Sequence, residues 1–346
     1  MITREKQPPN LEMSFGKLDG FITPTERFYV RCHFPIPEID EKSWRLVIEG
    51  LVSKPVQFSL DDLRRFPQET QTVTLECAGN SRVFLVPKVK GVQWELGAVG
   101  NAKWTGVSLR HLLEHAGVKE NAREVILEGA DKGTIAEPPR PAGTIHFARS
   151  IPAEKAMEDV LLAFEMNGRP LTPAHGFPLR AVVPGWYGMA SIKWLQRIVI
   201  SDQPFNGYYQ TVDYAFWKRD QSSPTLAPLT EMQSKAQIAR PENNEVIPDG
   251  QTYSIKGAAW TADAEITKVE VSFDGGNSWR EAHLDQESRK NAWRLWQLEW
   301  ESPKRGNYIL LARATDSRGR VQPLERNPDG GTYMIDHCLP IEVQVL

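Results

Sequence analysis

The sequence predicts a mixed α+β domain followed by an all-β sandwich, and three observations carry that prediction. Up to about residue 220, short strand-like runs rich in β-branched residues alternate with short, capped helical runs. Residues 221–228 are rich in proline and serine and read as a linker. Beyond them, apolar and polar residues alternate in runs separated by turn signals, with no helical pattern. The expected domains are therefore 1–220 and 221–346, with residues 1–20 a polar, irregular arm over the surface.

Taken in order, residues 28–33 (Phe-Tyr-Val-Arg-Cys-His) read as a short strand, and residues 44–50 as another. Ser59 is placed to cap a helix through Phe66, with Asp61 and Asp62 in its first turn and Pro67 after its end. Residues 73–75 form a buried strand. Ser108 is placed to cap a second helix over 109–116, closed by Gly117. Strands follow over 124–129, 160–166 (turning at Asn167-Gly168), 179–183 and 194–201. In the second domain, strands are expected over 252–260, 268–273, 293–300 and 307–315, with Asp274-Gly275-Gly276-Asn277 as a hairpin turn. Trp293, Trp296 and Trp300 read as packing inside the sandwich.

A chain of 346 residues has material for two large cores. Its 40% hydrophobic and 25% charged residues describe an ordinary globular protein. The net charge of −3 and the absence of a basic run argue against nucleic acid as a partner. No apolar run is long enough to span a bilayer, and the first nine residues lack the apolar core of a signal peptide. Cys32, Cys77 and Cys338 are odd in number and far apart, which excludes a disulfide framework and covalent haem attachment. A cytoplasmic location is expected, or a periplasmic one if an export signal has been removed.

The chemistry centres on residues 73–82, Val-Thr-Leu-Glu-Cys-Ala-Gly-Asn-Ser-Arg. A strand end delivers the Cys77 thiol to a fixed point, small residues clear space around it, and Arg82 supplies a permanent positive charge. Read from the residues alone, Cys77 is a buried small hydrophobe, a nucleophile, or a soft ligand for a transition metal. Two further stretches stand out. Residues 175–180, His-Gly-Phe-Pro-Leu-Arg, pair an imidazole with a guanidinium, a combination suited to a phosphate monoester. Residues 184–195, Pro-Gly-Trp-Tyr-Gly-Met-Ala-Ser-Ile-Lys-Trp-Leu, combine glycines that admit a flat ligand with the donors Ser191 and Lys193.

The run from Thr74 to Arg82 closely resembles the molybdenum-binding cysteine motif of the sulfite oxidase family, and the other two stretches follow in that family's order. The resemblance implies that Cys77 ligates molybdenum held by one molybdopterin dithiolene. It places His33, Asp131, His175, Arg180, Ser191 and Lys193 against the cofactor, and Arg31, Arg82, Trp94 and Tyr214 around the substrate. Cys32 stands where the family has asparagine, and reads as a tolerated small residue or as a second thiol near the metal. The family's C-terminal arginine has no counterpart near residues 328–333, so one positive charge of its anion pocket is expected to be missing. An immunoglobulin-like dimerisation domain is implied for the C-terminal part.

The activity so implied is oxygen-atom transfer, with sulfite oxidised to sulfate as the first expectation. With no haem motif in the chain, a separate electron-acceptor protein is expected. An S-oxide or N-oxide reductase on the same fold, a nitrate reductase and a non-enzymatic dimeric binding module are the other readings. His111 and His115, at zinc-like spacing on the second helix, are expected at the surface, and Cys338 in the core.

Overall fold

The computed structural model describes residues 1–219 and 223–346. Two five-stranded sheets organise the first part of the chain. One contains Gln68–Glu76, Val99–Ser108 and Leu161–Met166 in antiparallel order, with Arg169–Pro170 and Arg180–Val182 both paired to the last of these. The other runs Val56–Phe58, Leu46–Gly50, Leu195–Ser201, Glu124–Thr134, Thr144–Pro152, with one parallel pairing between Leu46–Gly50 and Leu195–Ser201. Helices are fewer and shorter than an α+β domain would lead one to expect: Leu60–Arg64, Leu109–Ala116, Ala153–Ala156 and Tyr208–Thr211, with 3₁₀ turns between. The domain is mostly β.

Local chemistry explains most of these elements. Ser59 and Asp62 form a reciprocal capping box at the first helix. Gly117 ends the second helix at φ +70°, a conformation that costs glycine little. Ser108 makes no side-chain cap there; the Leu109 N–H is satisfied instead by Val160 O at 2.9 Å. Asn167 and Gly168 both take positive φ and turn one strand back on itself.

Four expectations are corrected. Residues 1–20 are not a loose arm. Ile2–Glu5 and Asn10–Glu12 pair as a hairpin, and Asn10, Glu12, Met13 and Phe15 are buried. The polar ones are buried because they serve backbone groups: Glu12 accepts from the N–H of Glu95 and Gly97, and Asn10 Oδ1 from that of Cys32. Residues 28–33 are no strand, since only Val30 bridges, to Leu11, and that three-residue partner strand is too short to extend the pairing. The expected linker is structured where it is described: Thr225–Pro228 pairs antiparallel with Ala215–Lys218, setting Trp217 opposite Leu226. Residues 221 and 222 of that stretch, and with them the expected boundary, lie outside the described residues. Finally, Trp293 packs in the first domain's core, donating from Nε1 to Phe21 O at 2.8 Å, whereas Trp296 and Trp300 fill the second.

The C-terminal part is all-β. A four-stranded sheet (Lys235–Arg240, Tyr253–Trp260, Arg294–Trp300, His283–Leu284) and a five-stranded one (Glu245–Ile247, Ile341–Val345, Gly306–Asp316, Ile266–Ser272, Arg280–Glu281) enclose a core that includes Ile255, Val271 and Leu310. Residues 273–279 form the loop between the paired strands Ile266–Ser272 and Arg280–Glu281. Asp274 organises that loop, accepting from the N–H of Asn277 and Ser278. Trp260 and Ala262 lie in the first domain's core beside Trp186 and Met189, so the two parts share apolar packing. Among the described residues no helix is long and apolar enough to cross a membrane.

Candidate active site

A cavity of about 640 Å³, its mouth included, lies where the first sheet ends against the loops before and after it. Its wall contains Arg31, His33, Cys77, Asp131, His175, Arg180, Ser191, Lys193 and Tyr214, so nine of the eleven expected site residues converge here from six stretches of chain. Phe28, Tyr29, Phe147 and Met189 add apolar surface.

Strand Gln68–Glu76 delivers Cys77, whose N–H donates to Ala98 O at 2.9 Å. The chain then folds tightly: Asn80 N donates to Cys77 O at 2.8 Å, Arg82 N to Gly79 O at 3.1 Å, and Ser81 sits at φ +77°. A Cβ at position 79 would lie 2.2 Å from the Arg82 guanidinium, so any larger residue there would have to displace that side chain. Cys77 is 6% exposed. Burial pushes its thiol up, against the pull of the Arg82 and Arg31 charges.

One side of the cavity is cationic. Arg180 donates to His175 O at 3.2 Å and Ser191 O at 3.1 Å, and its guanidinium stands 4.7 Å from the Trp104 ring. Burial pushes Arg180 down to about 10. Lys193 Nζ donates to Ala174 O at 3.0 Å and Cys32 Sγ at 3.3 Å. Cys32 is thus a buried thiol on the cavity-lining lysine. The Ser191 hydroxyl accepts from Val183 N at 3.0 Å, which leaves its proton for another acceptor. His175 lies 3.1 Å from Thr25 O through Nε2, and burial, reinforced by Lys193 and Arg180, lowers it to about 3. It is a neutral imidazole, protonated on Nε2 by that contact, with Nδ1 left as an acceptor.

Beside the Lys193 segment, Asp131 is 4% exposed, and burial raises its carboxyl to about 7 in spite of Lys193. None of its described hydrogen bonds comes from another side chain. His33 Nε2 lies 2.6 Å from Tyr214 Oη, and its ring stacks on Phe147 at 4.3 Å. Burial, then Arg31 and Lys193, hold His33 neutral. Tyr214 adopts φ +43°, a conformation L-residues rarely take, fixed by Leu229 N donating to Tyr214 O at 2.8 Å. Arg31 hydrogen-bonds to Cys32 O and reaches Asn10 Oδ1 at 3.4 Å, so the N-terminal hairpin braces it.

Two expected substrate residues stand apart. Trp94 is fully buried in the apolar cluster behind Cys77 and does not line the cavity. Arg82 is also behind the wall: Nε donates to Thr332 O at 3.0 Å, Nη1 to Val92 O at 2.9 Å, and the Tyr333 ring lies 5.0 Å from it. The motif specified these residue types, but a turn of sequence does not say which way a long side chain is drawn.

Three residues gave no sequence signal. Tyr333 packs 4.8 Å from Tyr214 and donates its hydroxyl to Asp213. Arg149, fully buried, donates to Tyr209 O and, at 2.6 Å, to Leu229 O, bracing the Tyr214 segment. Lys235 reaches Glu76 from the sandwich. His111 and His115 have no third ligand among the described residues. Cys338 is buried, as expected.

The wall combines a soft sulfur ligand, a cationic and donor-rich side, and a buried carboxyl to which no described side chain donates. This set fits a metal carried by an anionic, flat heterocycle with amino donors. Comparison with known proteins agrees. Residues 33–209 match the oxidoreductase molybdopterin binding domain family, and residues 227–328 the Mo-co oxidoreductase dimerisation domain family. Mitochondrial sulfite oxidase of Mus musculus is 37% identical over 324 residues, covering 88% of this chain and 58% of its own length. Sulfite oxidase of Gallus gallus is 37% identical, covering 88% of this chain and 69% of its own. An NADH nitrate reductase of Phaseolus vulgaris is 33% identical over 92% of this chain and 39% of its own length. The chain therefore spans well under two thirds of most of these relatives. The solved sulfane dehydrogenase SoxCD of Paracoccus pantotrophus superposes with a TM-score of 0.86 at 31% identity, covering 99% of this chain and 86% of that one.

Proposed function

The chain belongs to the sulfite oxidase family of molybdopterin-dependent oxidoreductases, and on that premise we propose that it oxidises sulfite to sulfate. The observation that supports this most is the convergence of Cys77 with a cationic wall and a half-buried guanidinium, Arg31, in one cavity. The balanced reaction joins sulfite and water to give sulfate, two protons and two electrons. Molybdenum-molybdopterin supplies the two-electron oxygen-atom transfer when bound.

The residues divide the remaining work. Cys77 would give the metal its protein sulfur. Arg180, Lys193, His175 and Ser191 would hold the anionic tail of the cofactor, and Asp131 would accept from its amino groups. Arg31 would draw in and orient the oxyanion. Tyr214, its hydroxyl tied to neutral His33, would present a hydrogen bond beside the reacting sulfur. The electrons would leave to a separate acceptor protein, and the sandwich, of immunoglobulin type, would pair two copies of the chain.

One observation favours a second reading. With Arg82 withdrawn behind the wall and no arginine contributed by residues 328–333, the cavity presents less positive charge at its mouth than two guanidinium contacts would supply. That suits a sulfur substrate of lower charge, such as sulfane sulfur, the substrate class named for the Paracoccus pantotrophus enzyme, or an S-oxide reduced in the opposite direction.

A single anaerobic experiment separates these. Sulfite is added to molybdenum-loaded protein while the visible thiolate-to-molybdenum absorption and the Mo(V) resonance are followed. Rapid bleaching, with Mo(V) appearing on partial reoxidation, supports sulfite oxidation. Silence towards sulfite, with bleaching by a sulfane donor or reoxidation of the reduced protein by an S-oxide, replaces it with the second reading.

A further inference from the structure

Behind Cys77 the two parts of the chain meet through a charge pair that the chemistry above does not use. Glu76, one residue before the cysteine, is 3% exposed, and Lys235, on the first strand of the sandwich, is 2% exposed. Lys235 Nζ lies 3.1 Å from Glu76 Oε1 and also donates to Ser81 Oγ at 3.1 Å. Glu76 accepts further from Trp260 Nε1 at 2.9 Å and from Asn80 Nδ2 at 3.1 Å. Asn80 in turn accepts from Ala98 N at 3.2 Å through Oδ1. Every partner of this carboxylate is either on the cysteine loop or on the sandwich.

Stability alone gives little reason for such a pair. Taking two charges out of water costs as much as their attraction returns, and well-packed apolar residues often do as well. Its position gives a better reason. The Glu76 charge acts on the Cys77 sulfur, more weakly than Arg82 and Arg31 and with the opposite sign. In a buried site such charges are poorly screened, and nearby charge is one of the protein's means of tuning a metal's potential.

We infer that Glu76 and Lys235 form a charge-balanced, inter-domain pair that positions the Cys77 loop and sets the reduction potential of the metal it carries. This rests on the reading of Cys77 as the molybdenum ligand. The C-terminal sandwich is then part of the metal site's scaffold, whatever its role in pairing chains.

The test is a redox titration of the full-length, molybdenum-loaded protein, read by the Mo(V) resonance. Glu76→Gln removes the negative charge and keeps one acceptor oxygen, at the cost of an amide NH2 facing donors; the lost charge disfavours the more oxidised metal and raises the potential. Lys235→Met leaves an extra negative charge and lowers it. Each shift is expected to change the oxidised-to-reduced ratio at fixed potential about tenfold, or about 59 mV for a one-electron couple. The double variant returns towards wild type. Opposite signs are the signature, because a merely structural lesion has no reason to move the two variants in opposite directions. Shifts of the same sign, or none in protein with full molybdenum content, overturn the inference. If Lys235→Met does not fold, a rise in Glu76→Gln that the double variant reverses supports it, and a double variant that stays with Glu76→Gln overturns it. Wild-type protein from a cofactor-making host that holds no molybdenum overturns the reading of Cys77 instead, and the inference with it.

Discussion

Asp131→Asn is expected to make the cofactor-free protein more stable and its hold on the cofactor weaker. The carboxyl is 4% exposed, and burial raises it from 3.8 to about 7, with Lys193 opposing. An acid whose folded pKa is raised destabilises the fold wherever it must ionise. The cost is absent below the unfolded value of 3.8, grows as pH rises through the window up to about 7, and is complete above it. At about 1.36 kcal/mol per pKa unit, that rise is on the order of 4 kcal/mol. Asparagine has nearly the same shape and carries none of this penalty.

With cofactor present the sign is expected to reverse, because the cofactor's amino groups would add donors to a carboxylate that otherwise has only a backbone N–H. Losing charged hydrogen bonds of this kind costs about 1.5–3 kcal/mol each, or roughly 10- to 150-fold in retention. Protein made in a host that cannot synthesise the cofactor is unfolded with urea from pH 4 to 8, for wild type and variant. The curves are expected to coincide near pH 4 and separate progressively, with Asp131→Asn ahead by a few kcal/mol at pH 8. Parallel curves, or a variant no more stable than wild type at pH 8, would refute the account of this carboxyl.

Three other outcomes are expected. Cys77→Ser abolishes turnover and the thiolate-to-molybdenum absorption while circular dichroism and melting stay near wild type; undiminished turnover would remove Cys77 from the metal. Arg31→Met lowers kcat/KM for sulfite by about tenfold or more, mainly through KM, as expected for one lost charged contact, and flattens the salt dependence of KM; an unchanged salt dependence would show that this guanidinium does not meet the anion. Tyr214→Phe, which removes the hydroxyl 2.6 Å from His33 Nε2, lowers kcat/KM about tenfold at constant molybdenum content, the effect of one ordinary hydrogen bond at about 1–1.5 kcal/mol; no change would leave Tyr214 a packing residue.

The parts of the site that were legible in the sequence are those in which chemistry is packed into one local run. The strand, cysteine and tight turn of residues 73–82 depend on neighbours within a few positions, and the structure folds them that way. The same holds for Ser59 with Asp62 and for Asn167-Gly168. What the sequence hid is set by partners more than eighty positions away. Lys235 is an unremarkable strand residue until Glu76 lies 3.1 Å from it. Glu12 looks like surface charge until its carboxylate is found satisfying two backbone N–H groups of residues 95 and 97. Alternation reports which face of a strand is buried, not what buries it, so Trp293 looked like its sandwich neighbours while packing in the other core.

Arg82 shows how energetic comparison decides what a motif leaves open. To enter the cavity, its guanidinium would have to give up Thr332 O and Val92 O and the face of Tyr333. Hydrogen bonds to a charged group are worth about 1.5–3 kcal/mol each, so the move forfeits about 3–6 kcal/mol. It also leaves two carbonyl oxygens without that donor. One new contact to an oxyanion returns only about 1.5–3 kcal/mol. Arg82 therefore stays behind the wall, held there by the same C-terminal segment that lacks the family's arginine. An oxyanion in the cavity would then feel Arg82 only through its field, and Arg31 would be left to make the contact.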